Sequence, residues 1–203
     1  HIRKRPLTAN LLPETDLHAA VNFYRDRFGD AGDFTFILVG NFDTETIKPL
    51  VLQYLGSLPT QNRRESWVNH NIVPPKGNVN KSVYRGIEPK GLTQIIYTGN
   101  CEWSRQTRYD FLSMIEVLRI KMREVLREDM GGVYGVRIQG NMSHYPKESF
   151  SISIGFGCDP ERVDELTTAV KEQIQIIMED GTTEKYLHKV KETQRRRHEV
   201  DLE

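Results

Sequence analysis

The sequence lacks the short signatures by which common catalytic sites are recognised. It contains no H-E-x-x-H or H-x-x-E-H zinc motif, no G-x-x-x-x-G-K-[ST] phosphate-binding loop and no G-x-S-x-G nucleophile turn. Six histidines are present, but the order His188, Glu192, His198 does not place ligands on one helix face. We therefore expect no zinc site, cofactor site or nucleophile contained within this chain.

Charge of one sign and long apolar runs are also missing. Lys+Arg and Asp+Glu both number 28, and the resulting net charge of zero argues against nucleic acid as a partner. No run of about eighteen apolar residues occurs, so we expect no membrane span. The chain does not begin with Met, and no apolar segment follows the basic residues 1–5. We therefore expect a piece of a longer or processed protein.

Cysteine is scarce, with Cys101 and Cys158 as the whole complement. Two buried free thiols are the expected state, because two cysteines alone form no disulfide framework. A disulfide between them, or a metal that they share, is the alternative that the sequence leaves open.

Hydrophobic periodicity predicts long helices and strands that occur in pairs. The α+β order favours a two-layer sandwich, with a largely antiparallel sheet and its helices packed on one face. We predict one domain over residues 1–203, with a helical lead-in at 1–30 and an α+β core at 31–203. The predicted helices are 15–28, 44–54, 105–128, 160–181 and 182 to the C-terminus, and the predicted strands are 34–39, 79–87, 93–99, 133–139 and 150–156.

One segment, LREDMGGVYGV at 126–136, carries the residues best suited to chemistry. It ends a predicted helix, turns on glycines and enters a strand. Arg127 offers a planar fork of donors for a peptide carbonyl or carboxylate, and Tyr134 offers a neutral hydroxyl for a developing oxyanion. The glycines would let a substrate backbone approach closely. A purely structural explanation is equally open, because arginine complements a helix C-terminus and tyrosine packs on turns.

Four segments together resemble the pitrilysin (insulinase) family of zinc metallopeptidases, the inverzincins. They are LREDMGGVYGV (126–136), FTFILVGNFD (34–43), YLGSLP (54–59) and FGCDP (156–160), and the last is similar to the large bacterial members. The resemblance implies the fold of LuxS and mitochondrial processing peptidase, repeated in four domains that form two halves of a clamshell. Zinc would be bound by the first half. The later half would supply Arg127 as substrate-carbonyl anchor and Tyr134 as oxyanion donor.

Because this chain has no H-x-x-E-H, the resemblance implies the non-catalytic C-terminal domain of such a peptidase, inactive on its own. Its expected partners are the zinc-bearing N-terminal half of the same protein and a peptide substrate. The expected cofactor is zinc in the parent enzyme and none in this chain, and the resemblance suggests the periplasm. The alternatives are a catalytically silent structural subunit of the same fold and a stand-alone peptide-binding module.

Overall fold

The computed structural model describes residues 5–61 and 63–202. The chain forms two compact units, which divide between Val73 and Pro74. The prediction of a single domain with a lead-in at 1–30 and a core at 31–203 stays a prediction. Among the described residues, no helix is long and apolar enough to cross a bilayer.

The first unit contains a short 3-10 helix, Ala9–Glu14, and the helices α1, Leu17–Phe28, and α2, Thr44–Tyr54. α2 has the predicted bounds, and α1 begins two residues later than predicted. The Asp16 carboxylate accepts a hydrogen bond from the Ala19 amide, and Asp43 accepts one from the Thr46 amide.

Asp30 is the one buried charged residue of the described chain, with 3% of its surface exposed. Its carboxylate accepts hydrogen bonds from three backbone amides, those of Gly32, Gln61 and Arg63, at 3.0, 3.0 and 3.1 Å. These bonds, from Gln61 first and Gly32 next, lower the pKa of Asp30 to about 2. Asp30 thus ties the end of α1 to a segment thirty residues later.

Two predicted strands are wrong. Residues 34–39 and 79–87 form no regular structure. Val39 is 93% exposed and Tyr84 is 92% exposed. Their apolar and β-branched composition favours strands, but a strand also requires a hydrogen-bonded partner. In the described part of the chain, neither segment is paired with another strand.

The second unit is built on a three-stranded antiparallel sheet. Its strands are β1, Gly91–Asn100, β2, Val133–Ser143, and β3, Ser149–Cys158, and their spatial order is β1-β3-β2. β3 pairs with β1 from Gly91↔Cys158 to Asn100↔Ser149, and with β2 from Val133↔Cys158 to Ser143↔Ser149. Of the four strands predicted in this unit, those at 93–99, 133–139 and 150–156 are therefore present, each longer than predicted.

Helices cover one face of this sheet. They are α3, Arg105–Arg123, and α4, Val163–Asp180, while α5, Glu184–Leu202, packs against α3. Side chains of β1 alternate between half-buried and exposed, as expected for a sheet with one covered face. The α+β sandwich with an antiparallel sheet is confirmed, and its core consists of Ile115, Leu118, Met122, Leu126, Val133, Ile138, Ile154, Phe156, Cys158, Leu166 and Val170.

The two cysteines lie at opposite ends of the sheet. Cys158 pairs with Gly91 at the start of β1, whereas Cys101 directly follows Asn100 at its other end. A strand rises ~3.3 Å per residue, so the two sulfurs are separated by roughly 30 Å. Both thiols are free, and neither a disulfide nor a shared metal can join them. Cys158 is buried, which raises its pKa, and Cys101 is half-buried.

Candidate functional site at the end of helix α3

The candidate site begins where α3 changes its winding. After Arg123 the helix continues as a π-helical segment, Glu124–Asp129, in which the Met130 amide donates to the Val125 carbonyl at 3.0 Å. A π-helical turn accommodates one residue more than an α-helical turn, and such segments often occur at functional sites. Leu126 remains in the core with 0% exposure, while Arg127 beside it is exposed.

The two glycines that follow have different roles. Gly131 has a φ of +57°, a left-handed conformation that favours glycine. The Gly132 amide donates to the Leu126 carbonyl at 3.2 Å. A Cβ on Gly132 would lie 2.8 Å from Leu166 Cδ2 and 2.9 Å from Arg162 Nη1. The space that a side chain at position 132 would need is therefore filled by the protein itself. That the glycines let a substrate backbone approach closely stays a prediction.

Tyr134 is the extra residue of a β-bulge. Val133 pairs with Cys158 and Gly135 pairs with Gly157, so Tyr134 has no opposite residue on β3. The bulge lets Val133 point into the core while Tyr134 and Gly135 both point away from it. Tyr134 is 78% exposed. Bulges of this kind commonly redirect a side chain near an active site.

The face of the sheet opposite the helices, the open face, has the central strand β3 as its floor. Beside Gly157 of β3, Leu92 of β1 lies on one side and Tyr134 of β2 on the other. Leu92 is 86% exposed. The side-chain amide of Gln94 on β1 reaches across the open face and donates to the Ser153 hydroxyl at 3.0 Å. Strand register places only small residues of β3 along the floor: Ser149, Ser151, Ser153, Gly155 and Gly157.

Arg127 and Tyr134, the two residues predicted from the sequence, lie on either side of one turn. Arg127 is in the last turn of the π-helical segment, and Tyr134 is the second residue of β2. Across residues 5–61 and 63–202, neither side chain has a hydrogen-bond or ion-pair partner, and both are exposed. Both are thus available to bind something outside the described chain.

A third residue at this corner, Arg162, was not predicted. It ends the short 3-10 helix Pro160–Arg162, and its Nε and Nη2 donate to the Glu165 carboxylate at 3.0 and 2.9 Å. This pairing raises the pKa of Arg162 and lowers the pKa of Glu165. Both terminal nitrogens also lie 3.4 Å from the Met130 carbonyl oxygen. An R-x-x-E spacing suggests the ion pair, but nothing in the sequence indicates the contact with Met130.

The π-helical segment is also held from the side of α5. The Tyr186 hydroxyl donates a short hydrogen bond to the Glu124 carboxylate, and Lys189 Nζ lies 3.4 Å from the same group. The hydrogen bond to Glu124 raises the pKa of Tyr186 to about 12, and it lowers the pKa of Glu124. A cleft of about 480 Å³ lies between the π-helical segment and α5. Acidic and basic side chains both line it, so it favours neither anions nor cations.

Metal-ligating side chains do not converge near this corner. Within the described ranges, no group of three or more His, Cys, Asp or Glu side chains is arranged to hold a metal ion. The chemistry that the corner offers is therefore hydrogen bonding and charge, from a guanidinium and a phenol.

The family model for the peptidase M16 inactive domain matches residues 17–194. The chain belongs to this family. The resemblance to zinc metallopeptidases that the sequence predicts is thereby confirmed.

Relatives of this M16 inactive domain include three zinc proteases. The probable zinc protease PqqL of Haemophilus influenzae is 28% identical over 169 residues, which cover 83% of this chain and 18% of that protein. A zinc protease PQQL-like of Arabidopsis thaliana is 26% identical, with coverage of 98% and 22%. The probable zinc protease PqqL of Escherichia coli is 24% identical, with coverage of 96% and 21%. The domain spans about a fifth of the length of these relatives.

Two solved structures share the fold of the M16 inactive domain. The periplasmic protease PqqL from Escherichia coli has a TM-score of 0.84 and 22% identity, covering 98% of this chain and 22% of that chain. A mutant of the ferredoxin protease FusC, in complex with Arabidopsis ferredoxin, has a TM-score of 0.71 and 17% identity, covering 97% and 21%.

Proposed function

We propose that this M16 inactive domain closes the substrate chamber of a zinc metalloendopeptidase and supplies residues that bind the reacting peptide bond. The observation that carries the proposal is the pair Arg127 and Tyr134, both exposed, both without partners in the described chain, on either side of one turn. Membership in the family and relatives named zinc proteases support it. Zinc and the attacking water would come from the N-terminal half of the same protein.

The two residues would have separate roles in peptide-bond hydrolysis. The Arg127 guanidinium would donate to a substrate carbonyl and so hold the peptide in register. The Tyr134 hydroxyl would donate to the oxyanion that forms when water attacks the scissile carbonyl. A hydrogen bond that strengthens as this charge develops accelerates the reaction, and one such donor contributes about 3 kcal/mol.

The open face of the sheet is suited to an extended peptide. Its floor of serines and glycines leaves room for a backbone between the exposed side chains of β1 and β2. Both outer strands, β1 and β2, also have an edge that an extended peptide could join by main-chain hydrogen bonds. The solved relative is a periplasmic protease, and we propose the periplasm for this protein as well.

The proposal is tested in the longest natural polypeptide that contains this chain. Cleavage of a quenched peptide is measured for the wild type, Arg127→Ala and Tyr134→Phe, together with zinc content. We expect kcat to fall by about two to three orders of magnitude in Tyr134→Phe, because an oxyanion donor is lost, with zinc content unchanged. Tyr145→Phe is the matched control, because Tyr145 is 76% exposed but lies at the other end of the sheet.

Three outcomes would contradict the proposal. Wild-type rates in both Arg127→Ala and Tyr134→Phe would remove the assigned roles. Absence of chelator-sensitive cleavage by the whole polypeptide would favour the alternative, a catalytically silent structural or peptide-binding subunit of the same fold. Cleavage by residues 1–203 alone would mean that the chain contains a site of its own.

A further inference from the structure

We infer that Arg162 is a positioning residue, which fixes the turn between Arg127 and Tyr134 and so sets where both side chains point. The inference rests on the proposed function of those two residues. Arg162 itself lies on the segment that leads into α4 and belongs to neither of the two elements that the turn joins. It therefore couples a third element to the candidate site.

The turn has a backbone group for Arg162 to bind. The last carbonyls of a helix have no partner within the helix. At this helix end, Met130 caps the π-helical segment, and its carbonyl oxygen faces both terminal nitrogens of Arg162 at 3.4 Å. These hydrogen bonds are long, but the donor carries a full positive charge, which strengthens its interaction with a helix C-terminus.

Arg162 is also held by a residue outside the turn. Its Nε and Nη2 form a two-point pair with the Glu165 carboxylate, so the orientation of the planar guanidinium is set from the other side. Its side chain is 34% exposed, and its remaining surface is covered. An arginine with this support loses little freedom when it contacts Met130.

The turn also packs closely against Arg162. Space for a Cβ on Gly132 is occupied by Arg162 Nη1 and Cζ, at 2.9 and 3.0 Å, and by Leu166 Cδ2. Leu166 is fully buried, so it cannot move aside. Gly132 is thus pressed against Arg162, while Gly131 on its other side has the conformational freedom of glycine. Without the guanidinium, Gly131 and Gly132 would lose the contact on the side of Arg162, and these two residues connect Arg127 to the bulge at Tyr134.

The test uses the longest natural polypeptide that contains this chain. Arg162→Ala is compared with Arg195→Ala, which removes an arginine from a similar ion pair with Glu192, spaced three residues apart on α5 and remote from the turn. We expect Arg162→Ala to lower kcat by on the order of tenfold to a hundredfold, because a displaced Tyr134 hydroxyl stabilises the transition state less, and to raise KM, because a displaced Arg127 binds the substrate less well. Arg195→Ala should leave both constants unchanged.

Three readouts separate positioning from general destabilisation. In a double-mutant cycle, Arg162→Ala combined with Tyr134→Phe should lower kcat by less than the product of the two single factors, because Arg162 acts through Tyr134. Hydrogen exchange measured by mass spectrometry should become faster in the peptide 126–136. Arg162→Lys, which keeps the charge, and Glu165→Gln, which releases the second anchor, should fall between the wild type and Arg162→Ala.

The outcomes distinguish this inference from the proposed function. If Arg127→Ala and Tyr134→Phe lower kcat but Arg162→Ala does not, or if the losses from Arg162→Ala and Tyr134→Phe multiply fully, positioning by Arg162 is overturned alone. Unchanged exchange in the peptide 126–136 overturns it as well. If Arg127→Ala and Tyr134→Phe both retain the wild-type rate, the proposed function fails, and this inference fails with it.

Discussion

Gly140 of β2 packs closely against α3, and replacing it with alanine should destabilise the second unit. A Cβ at this position would lie 2.5 Å from Ile115 Cγ1, 2.7 Å from Ile115 Cδ1 and 2.8 Å from Phe111 Cε1. Ile115 is 2% exposed and belongs to the core. Forcing one additional carbon into a packed core costs about 1–3 kcal/mol. We therefore expect Gly140→Ala to lower the free energy of unfolding by about 2 kcal/mol.

Gly135→Ala provides the matched control. Gly135 is on the same strand, but its Cβ would point to the open face and meet nothing within 4 Å. Alanine in a strand is more favourable than glycine by roughly 0.5–1 kcal/mol, because glycine loses more backbone freedom on folding. Gly135→Ala should therefore be neutral or slightly stabilising.

Urea denaturation followed by tryptophan fluorescence measures the difference. Trp103 is in the second unit, so the Trp67→Phe background makes it the only tryptophan. With a urea slope of about 2 kcal/mol per molar, Gly140→Ala should move the midpoint down by about 1 M. Ile115→Val removes the Cδ1 carbon that a Cβ at position 140 would meet. The double variant with Gly140→Ala should therefore lose less unfolding free energy than the two single variants added together. A midpoint in Gly140→Ala equal to that of Gly135→Ala would refute the packing argument.

Three further predictions concern other parts of the chain. Asp30, whose pKa is lowered from 3.8 to about 2, stabilises the first unit in its ionised form above pH 4. This stabilisation should be lost as the pH falls towards 2. Unfolding of the first unit, followed by Trp67 fluorescence, should depend less on pH in Asp30→Asn. Leu126→Ala, at a site with 0% exposure, should cost about 3 kcal/mol of unfolding free energy in urea titrations. Reducing agent should leave the melting temperature unchanged, because Cys101 and Cys158 form no disulfide; a shift would contradict the strand register.

The helices could be predicted from the sequence because the signals that define them are local. Ser104 accepts a hydrogen bond from the Thr107 amide at the start of α3, and Asp159 accepts one from the Glu161 amide before α4, as their positions indicate. Strands depend on partners that can be distant in the chain. The apolar segment 34–39 has the composition of a strand but no paired neighbour among the described residues, so composition alone led to a wrong prediction.

The candidate site shows the same division between local and distant information. Arg127 and Tyr134 could be identified because they lie in one short segment whose residue types resemble a known motif. The bulge at Tyr134 could not be foreseen, because it is defined by its register against β3. The contact between Arg162 and Met130 spans 32 residues and depends on how α4 packs against the end of α3.

The register of β2 has a consequence for what evolution or design could remove from this chain. Val133 and Gly135 face adjacent residues of β3, Cys158 and Gly157, so a chain shortened by Tyr134 would pair without any irregularity. Deleting one residue later in the strand, such as Gln139, would instead exchange the inner and outer faces of the residues that follow. Tyr134 is thus an insertion that the sheet accommodates but does not need for its pairing, which agrees with the proposed role of its exposed side chain.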